Sequence, residues 1–250
     1  MARVHYFCDH AAWRGRSLPR RVMRLILVRH GEAYAGFHGP IAGPTGCAGL
    51  TPHGRLQAEA LREHLAWTGQ VRADLLLASV LPRAIETARI VAPGLRLELS
   101  GQDCDLCEFH TGEADGMDWL DYNDRYGSFD MEAEPDRLFA PGGESWNSFH
   151  ERVSRTLERF ARDHAGESVV AVCHAGVIIA SMRLLLGIAD PATSAHLRPT
   201  NTGLTEWEYE PSEGRWLLRY YNDAGHLLDL DPPQERPDDA SVVVPSEPSG

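Results

Sequence analysis

The chain has 250 residues, 43% hydrophobic and 24% charged, an ordinary composition for a folded soluble protein with room for one large domain. Its net charge of -12 argues against a generic nucleic-acid binder or a protein held on an anionic membrane. Five cysteines, an odd number with no visible secretory signal and no apolar stretch long enough to span a bilayer, point to a reduced, cytoplasmic setting.

Residues 1–24 hold six arginines against Asp9 alone, and 1–22 show no clear period, so 1–22 reads as an N-terminal extension. Residues 24–29 contain the apolar run Leu25 to Val28 and read as a buried strand. Pro52 suits the first turn of a helix whose stripe is Leu56, Ala60, Leu61 and Leu65. A second strand is expected at 74–79, a helix from Pro82, and a third strand at 95–99. Residues 117–143 are acidic and aromatic and too long for a routine connection, which marks a cap. Its Trp119, Tyr122 and Tyr126 either line a substrate mouth or form the cap's own small core. Trp146, Phe149, Val153, Leu157 and Phe160 recur at three and four and predict an amphipathic helix over 145–162.

A strand at 168–173 follows, then a helix after His174, then two strand-like runs at 203–209 and 215–221 around a turn at 211–214. The alternation predicts an α/β protein, a three-layer αβα arrangement with a mostly parallel central sheet and a helical or loop cap. The domain is expected to span 23–230, and the Pro-, Ser- and acid-rich residues 231–250 to be a disordered tail.

In open α/β sheets, ligands bind beyond the carboxyl ends of the strands. Beyond the first strand stand Arg29, His30, Gly31 and Glu32; beyond the second, Ser79 and Arg83; beyond the third, Glu108 and Glu113; beyond the fourth, His174, Ala175 and Gly176. Two guanidiniums suit phosphate oxygens. A histidine can act as a nucleophile, and neighbouring arginines keep it unprotonated. A carboxylic acid could supply the proton that a leaving alkoxide needs. Small residues after each histidine would let a phosphate approach the backbone.

The residues "LVRHGEA" resemble the signature of the histidine phosphatase superfamily, also called phosphoglycerate-mutase-like. "LTPHGRLQAEALREHL", "SVLPRAIETA", "LCEFHTGEADG", "GGESW", "VVAVCHAG" and "NTGLTEWE" are similar to further family segments, in family order, over roughly residues 23–222. The resemblance implies that His30 is a nucleophile that becomes phosphohistidine. It implies that Arg29 and Arg83, with Gly31 and Asn201, bind substrate, that His174 binds the transferring phosphoryl group, and that Glu108 rather than Glu113 is the acid. No cofactor and no metal are expected.

Departures accompany the match. Ala33 and Gly36 stand where Thr and Asn are common in the family, and His110 and Ala114 where Asp and Trp are common. The cap holds seven acidic residues against Arg125 and Arg137, too few cations for a second acidic group. A metal-independent phosphomonoester hydrolase is therefore expected ahead of a phosphoglycerate-mutase-type phosphotransferase or a low-turnover phospho-ligand-binding module. The expected partner is a small phosphomonoester; the sequence says nothing of oligomeric state. Cys104, Cys107 and His110 mimic a metal half-site, but no further ligand pair completes four. His53, His64, His150 and His164 sit on predicted helices and read as solvated.

Overall fold

The computed structural model describes residues 22–35, 39–131, 133–188 and 196–230. Residues 1–21, 231–250 and Gly36 lie outside that set, so the expected extension, the acidic tail and one family departure are not addressed by it. Six strands form one sheet: β1 (Met23–Arg29), β2 (Leu75–Ala78), β3 (Gly101–Gln102), β4 (Ser168–Cys173), β5 (Leu204–Glu210) and β6 (Arg215–Asp223). Five helices accompany them: α1 (Pro52–Thr68), α2 (Pro82–Leu95), α3 (Trp119–Tyr126), α4 (Trp146–Asp163) and α5 (Ala175–Leu186).

The strand order is β3-β2-β4-β1-β5-β6, parallel from β3 through β1 and antiparallel across β5 and β6. Alternation along β1 shows why both faces are covered. Leu25 and Leu27 join Phe149, Val153, Phe160 and Ile178 of α4 and α5, while Ile26 and Val28 join Leu61, Leu65, Ala88 and Val91 of α1 and α2. The chain is thus a three-layer αβα fold.

Local chemistry sets the helix starts. The Thr51 hydroxyl accepts from the Gly54 N–H ahead of α1, and Ser145 forms a reciprocal cap with Ser148 ahead of α4. The strand expected at 95–99 is absent. Leu95 is the last residue of α2, Arg96 turns the chain in the left-handed region at φ 58°, and pairing with β2 begins only at Gly101. Leu97 and Leu99 still pack toward the α1/α2 side of the core, so the alternation is satisfied by an extended segment without ladder partners.

The cap has its own core. Tyr122 is 2% exposed, stacks on Phe139 with ring centroids 4.5 Å apart and donates its hydroxyl to the Phe139 carbonyl. Trp119 stays half exposed, and Tyr126 packs against the same cluster.

Candidate functional site

The ladder register places the chemistry. Arg29 lies opposite Cys173, and Ala78 opposite Val172. The His30 N–H donates to the Cys173 carbonyl at 3.0 Å and the Ser79 N–H to the Val172 carbonyl at 2.9 Å. His30, Ser79 and His174 therefore stand side by side at the carboxyl ends of three adjacent parallel strands. The His30 and His174 rings come within 5.0 Å centroid to centroid, and both are buried.

Each imidazole is held by a defined set of bonds. His30 Nδ1 lies 2.7 Å from the Gly31 carbonyl oxygen, which can only accept, so this nitrogen carries the ring proton. Arg83 Nε, a donor, lies 3.2 Å from His30 Nε2. That leaves the Nε2 lone pair facing a guanidinium edge. The Asn201 side-chain amide donates to the His30 carbonyl at 2.8 Å, so Asn201 holds the His30 backbone in place.

Ser79 Oγ lies 2.6 Å from His174 Nε2 and accepts from the Leu81 N–H, which leaves its own proton for the ring. His174 Nδ1 is then the protonated nitrogen, buried and without a protein partner. It is a donor with nothing to donate to inside the fold.

The electrostatics follow from burial next to cations. Desolvation holds the pKa of both imidazoles well below the usual value of 6.5; Arg83 and Arg29 add to the effect at His30, and Arg83 and His30 at His174. Burial also lowers Arg29, yet guanidinium remains charged. Arg29 Nη1 donates to the Pro199 carbonyl at 2.6 Å and Arg83 Nη1 to the Ala42 carbonyl at 3.1 Å. Among the described residues neither guanidinium makes a contact ion pair with a carboxylate, and Glu108 acts on Arg29 only through the longer-range Coulomb field, so the cluster keeps an excess of positive charge. Such a cluster suits an anion.

The acid arm comes from an irregular segment between two 3₁₀ turns, Cys104–Leu106 and Gly112–Ala114. Glu108 Oε2 accepts from the Gly176 N–H at 3.1 Å, at the first turn of α5. Glu113 is exposed instead and faces the cap, 3.6 Å from Arg125. The geometry thus separates two carboxylates that spacing alone left open: Glu108 bonds the backbone of Gly176, two positions along the chain from His174, whereas Glu113 pairs with Arg125 of the cap.

The small residues after the histidines serve packing. A Cβ on Gly31 would run into the Gly54 carbonyl, and one on Gly176 would occupy the place of the Glu108 carboxylate. The Gly31 N–H is also taken, by Thr87 Oγ1 at 3.0 Å. Gly31 therefore lets α1 pack close beneath His30. Glu32 is structural, accepting from the Thr51 hydroxyl at 2.8 Å.

The sequence reading missed Arg152. It lies buried on α4 and binds Glu144 through Nε (2.7 Å) and Nη2 (2.8 Å), while its remaining donors reach the carbonyls of Asp105, Cys107 and Glu108. The guanidinium holds three backbone oxygens of the acid arm in place. A signal existed: Arg152 falls on the apolar face defined by Phe149 and Val153, where a charge needs a partner. Of the helical histidines read as solvated, His64 lies partly buried with its ring 6.0 Å from that of His226, and His164 bonds Glu167 at 2.8 Å.

The chain is 28% identical over 210 residues to a metal-independent phosphoserine phosphatase of Arabidopsis thaliana, covering 82% of this chain and 84% of that protein. It is 28% identical over 206 residues to the adenosylcobalamin/alpha-ribazole phosphatase of Escherichia coli, covering 78% and 88% respectively. A crystal structure of a phosphoserine phosphatase mutant from Entamoeba histolytica, in complex with phosphoserine, superimposes with a TM-score of 0.63 at 25% identity, covering 82% of this chain and all of that one. A family profile described as histidine phosphatase superfamily (branch 1) matches residues 25–224, and the chain belongs to that superfamily.

Proposed function

We propose that the protein is a phosphomonoester hydrolase that works through a phosphohistidine on His30 and needs no metal for the chemical step. One observation carries the reading: His30 Nε2 is an unprotonated nitrogen, oriented by the Nδ1 bond to Gly31, beside two guanidiniums that have no contact ion pair among the described residues. The phosphate of a substrate would replace the missing counter-charge of Arg29 and Arg83 and accept the orphaned proton of His174 Nδ1. Nε2 then attacks phosphorus, an N–P bond forms, the P–O bond to the leaving group breaks, and Glu108 gives its proton to that oxygen. Water next attacks the phosphohistidine, Glu108 takes its proton, and inorganic phosphate leaves with His30 regenerated.

The cap favours hydrolysis over mutase chemistry. Arg137 is committed to Glu134, the Tyr126 carbonyl and the face of Phe129, and Arg125 lies beside Glu113. Arg137 is thereby used within the cap and Arg125 stands against the acid arm, leaving little charge for a second acidic group. One relative is named a phosphoserine phosphatase and another an adenosylcobalamin/alpha-ribazole phosphatase, and a small phosphomonoester is the substrate class proposed here.

No helix among the described residues is long and apolar enough to cross a membrane. The test is release of phosphate from p-nitrophenyl phosphate by chelator-treated protein, with acid-quenched trapping of the phosphoenzyme. Release and a trapped phosphohistidine are expected, both absent in His30→Ala. Conversion of 3-phosphoglycerate to 2-phosphoglycerate in preference to free phosphate would instead establish the mutase reading.

A further inference from the structure

We infer that Cys104, Cys107 and His110 form a three-ligand site for a zinc-class cation on the acid arm. Cys104 Sγ lies 3.9 Å from Cys107 Sγ and 3.6 Å from His110 Nε2, and the three ligand atoms fall within 4.8 Å of one another. Tetrahedral coordination with Zn–S near 2.3 Å and Zn–N near 2.05 Å puts two thiolates about 3.8 Å apart and a thiolate and an imidazole about 3.6 Å apart. Two edges of the observed triangle match those separations without rearrangement. Residue spacing supplies three ligands, and the fold supplies the distances between them.

A second observation supports the site independently. His110 turns Nε2 toward Cys104, and its other nitrogen, Nδ1, lies 3.7 Å from Glu144 Oε1. The His110 backbone N–H also donates to Glu144 Oε2 at 2.8 Å. A carboxylate behind the imidazole is the common outer shell of a metal-bound histidine; here the backbone bond anchors the His110 residue to Glu144, and Nδ1 stands just outside hydrogen-bond reach of that carboxylate. Glu144 is itself clamped by Arg152, so this outer shell is rigid. Two thiolates with one imidazole select zinc over magnesium or calcium. Cys104 is exposed and Cys107 buried, so the cation enters from the Cys104 side, where the fourth position opens to solvent. Both thiols are free.

The ligand positions bracket Glu108 in the chain, so an occupied site restrains the acid arm from both sides. The cation is not one of the groups assigned to phosphoryl transfer.

The site is tested by titrating cobalt(II) into the full-length, chelator-stripped protein under a non-thiol reductant, followed by competition with zinc. One equivalent of cobalt is expected to produce thiolate-to-metal charge-transfer absorption, displaced by zinc. Cys104→Ser and His110→Asn should each weaken binding by at least about 100-fold, the upper end of what loss of even an outer-shell partner costs. The band should persist in His30→Ala and in Cys47→Ser. Binding without thiolate absorption, binding indifferent to Cys104→Ser, or no binding at all would each overturn the proposal. Because none of these readouts is turnover, they stand or fall separately from the hydrolase reading.

Discussion

Two halves of one rim are built in different ways. The proposed phosphate cradle, Arg29, His30, Arg83 and His174, hangs from adjacent parallel strands and the first turn of α2, with the strand-end backbone held by ladder bonds. The acid arm carries Glu108 on an irregular segment whose carbonyls are held from another layer by Arg152. Strand ends are positioned by the core that stability requires. An irregular arm must be tied down by a dedicated polar clamp, and this one meets the strand-end cluster through the Glu108 bond to Gly176.

Substitutions can break that distinction. The largest expected effect is in the cradle: His30→Ala should lower phosphate release by about ten-thousand-fold or more, measured as kcat on p-nitrophenyl phosphate. Glu108→Gln should lower kcat by about 100- to 10,000-fold while leaving the affinity for vanadate, a phosphate analogue, close to that of the parent protein. Loss of vanadate binding in that variant would show that the two halves act as one unit.

Arg152→Ala strips the clamp and leaves Glu144 uncompensated. It should cost about 3–5 kcal/mol of stability, read from chemical denaturation. In protein that remains folded, kcat should fall while vanadate binding survives. Ser79→Ala, a change inside the cradle, removes the bond that orders His174 and should cost about ten-fold in kcat/KM.

The smallest effect is a pH slope. Both buried imidazoles have folded pKa values below the ordinary 6.5, so the unfolded chain binds protons that the native state refuses. Stability should therefore fall as pH drops below about 6.5 and continue to fall until the folded values are reached. Denaturation midpoints measured between neutral and mildly acidic pH should show a shallower slope in His30→Ala. An unchanged slope would assign the proton uptake to other groups, such as His226, which burial lowers to about 4.

Much of the site was legible before any coordinates. A buried apolar run ending in Arg29 and His30, and a second ending in His174, mark strand ends, because period and burial are local properties of the chain. The strand expected at 95–99 failed for a related reason: alternating leucines report alternating burial, and only a partner strand converts burial into a ladder. The cap aromatics were ambiguous in the same way, since Tyr122 became core and Trp119 stayed half exposed.

By itself, then, the amino-acid order determined the αβα layering and which cationic and imidazole groups reach the rim, since those depend on periodicity and on where each strand stops. Tertiary structure alone decided that Glu108 and not Glu113 meets α5, that Gly31 and Gly176 make room for Gly54 and for a carboxylate, and that Arg152 fastens the acid arm. These are contacts between segments from 23 to 68 residues apart, set by how layers pack rather than by any neighbour in the chain.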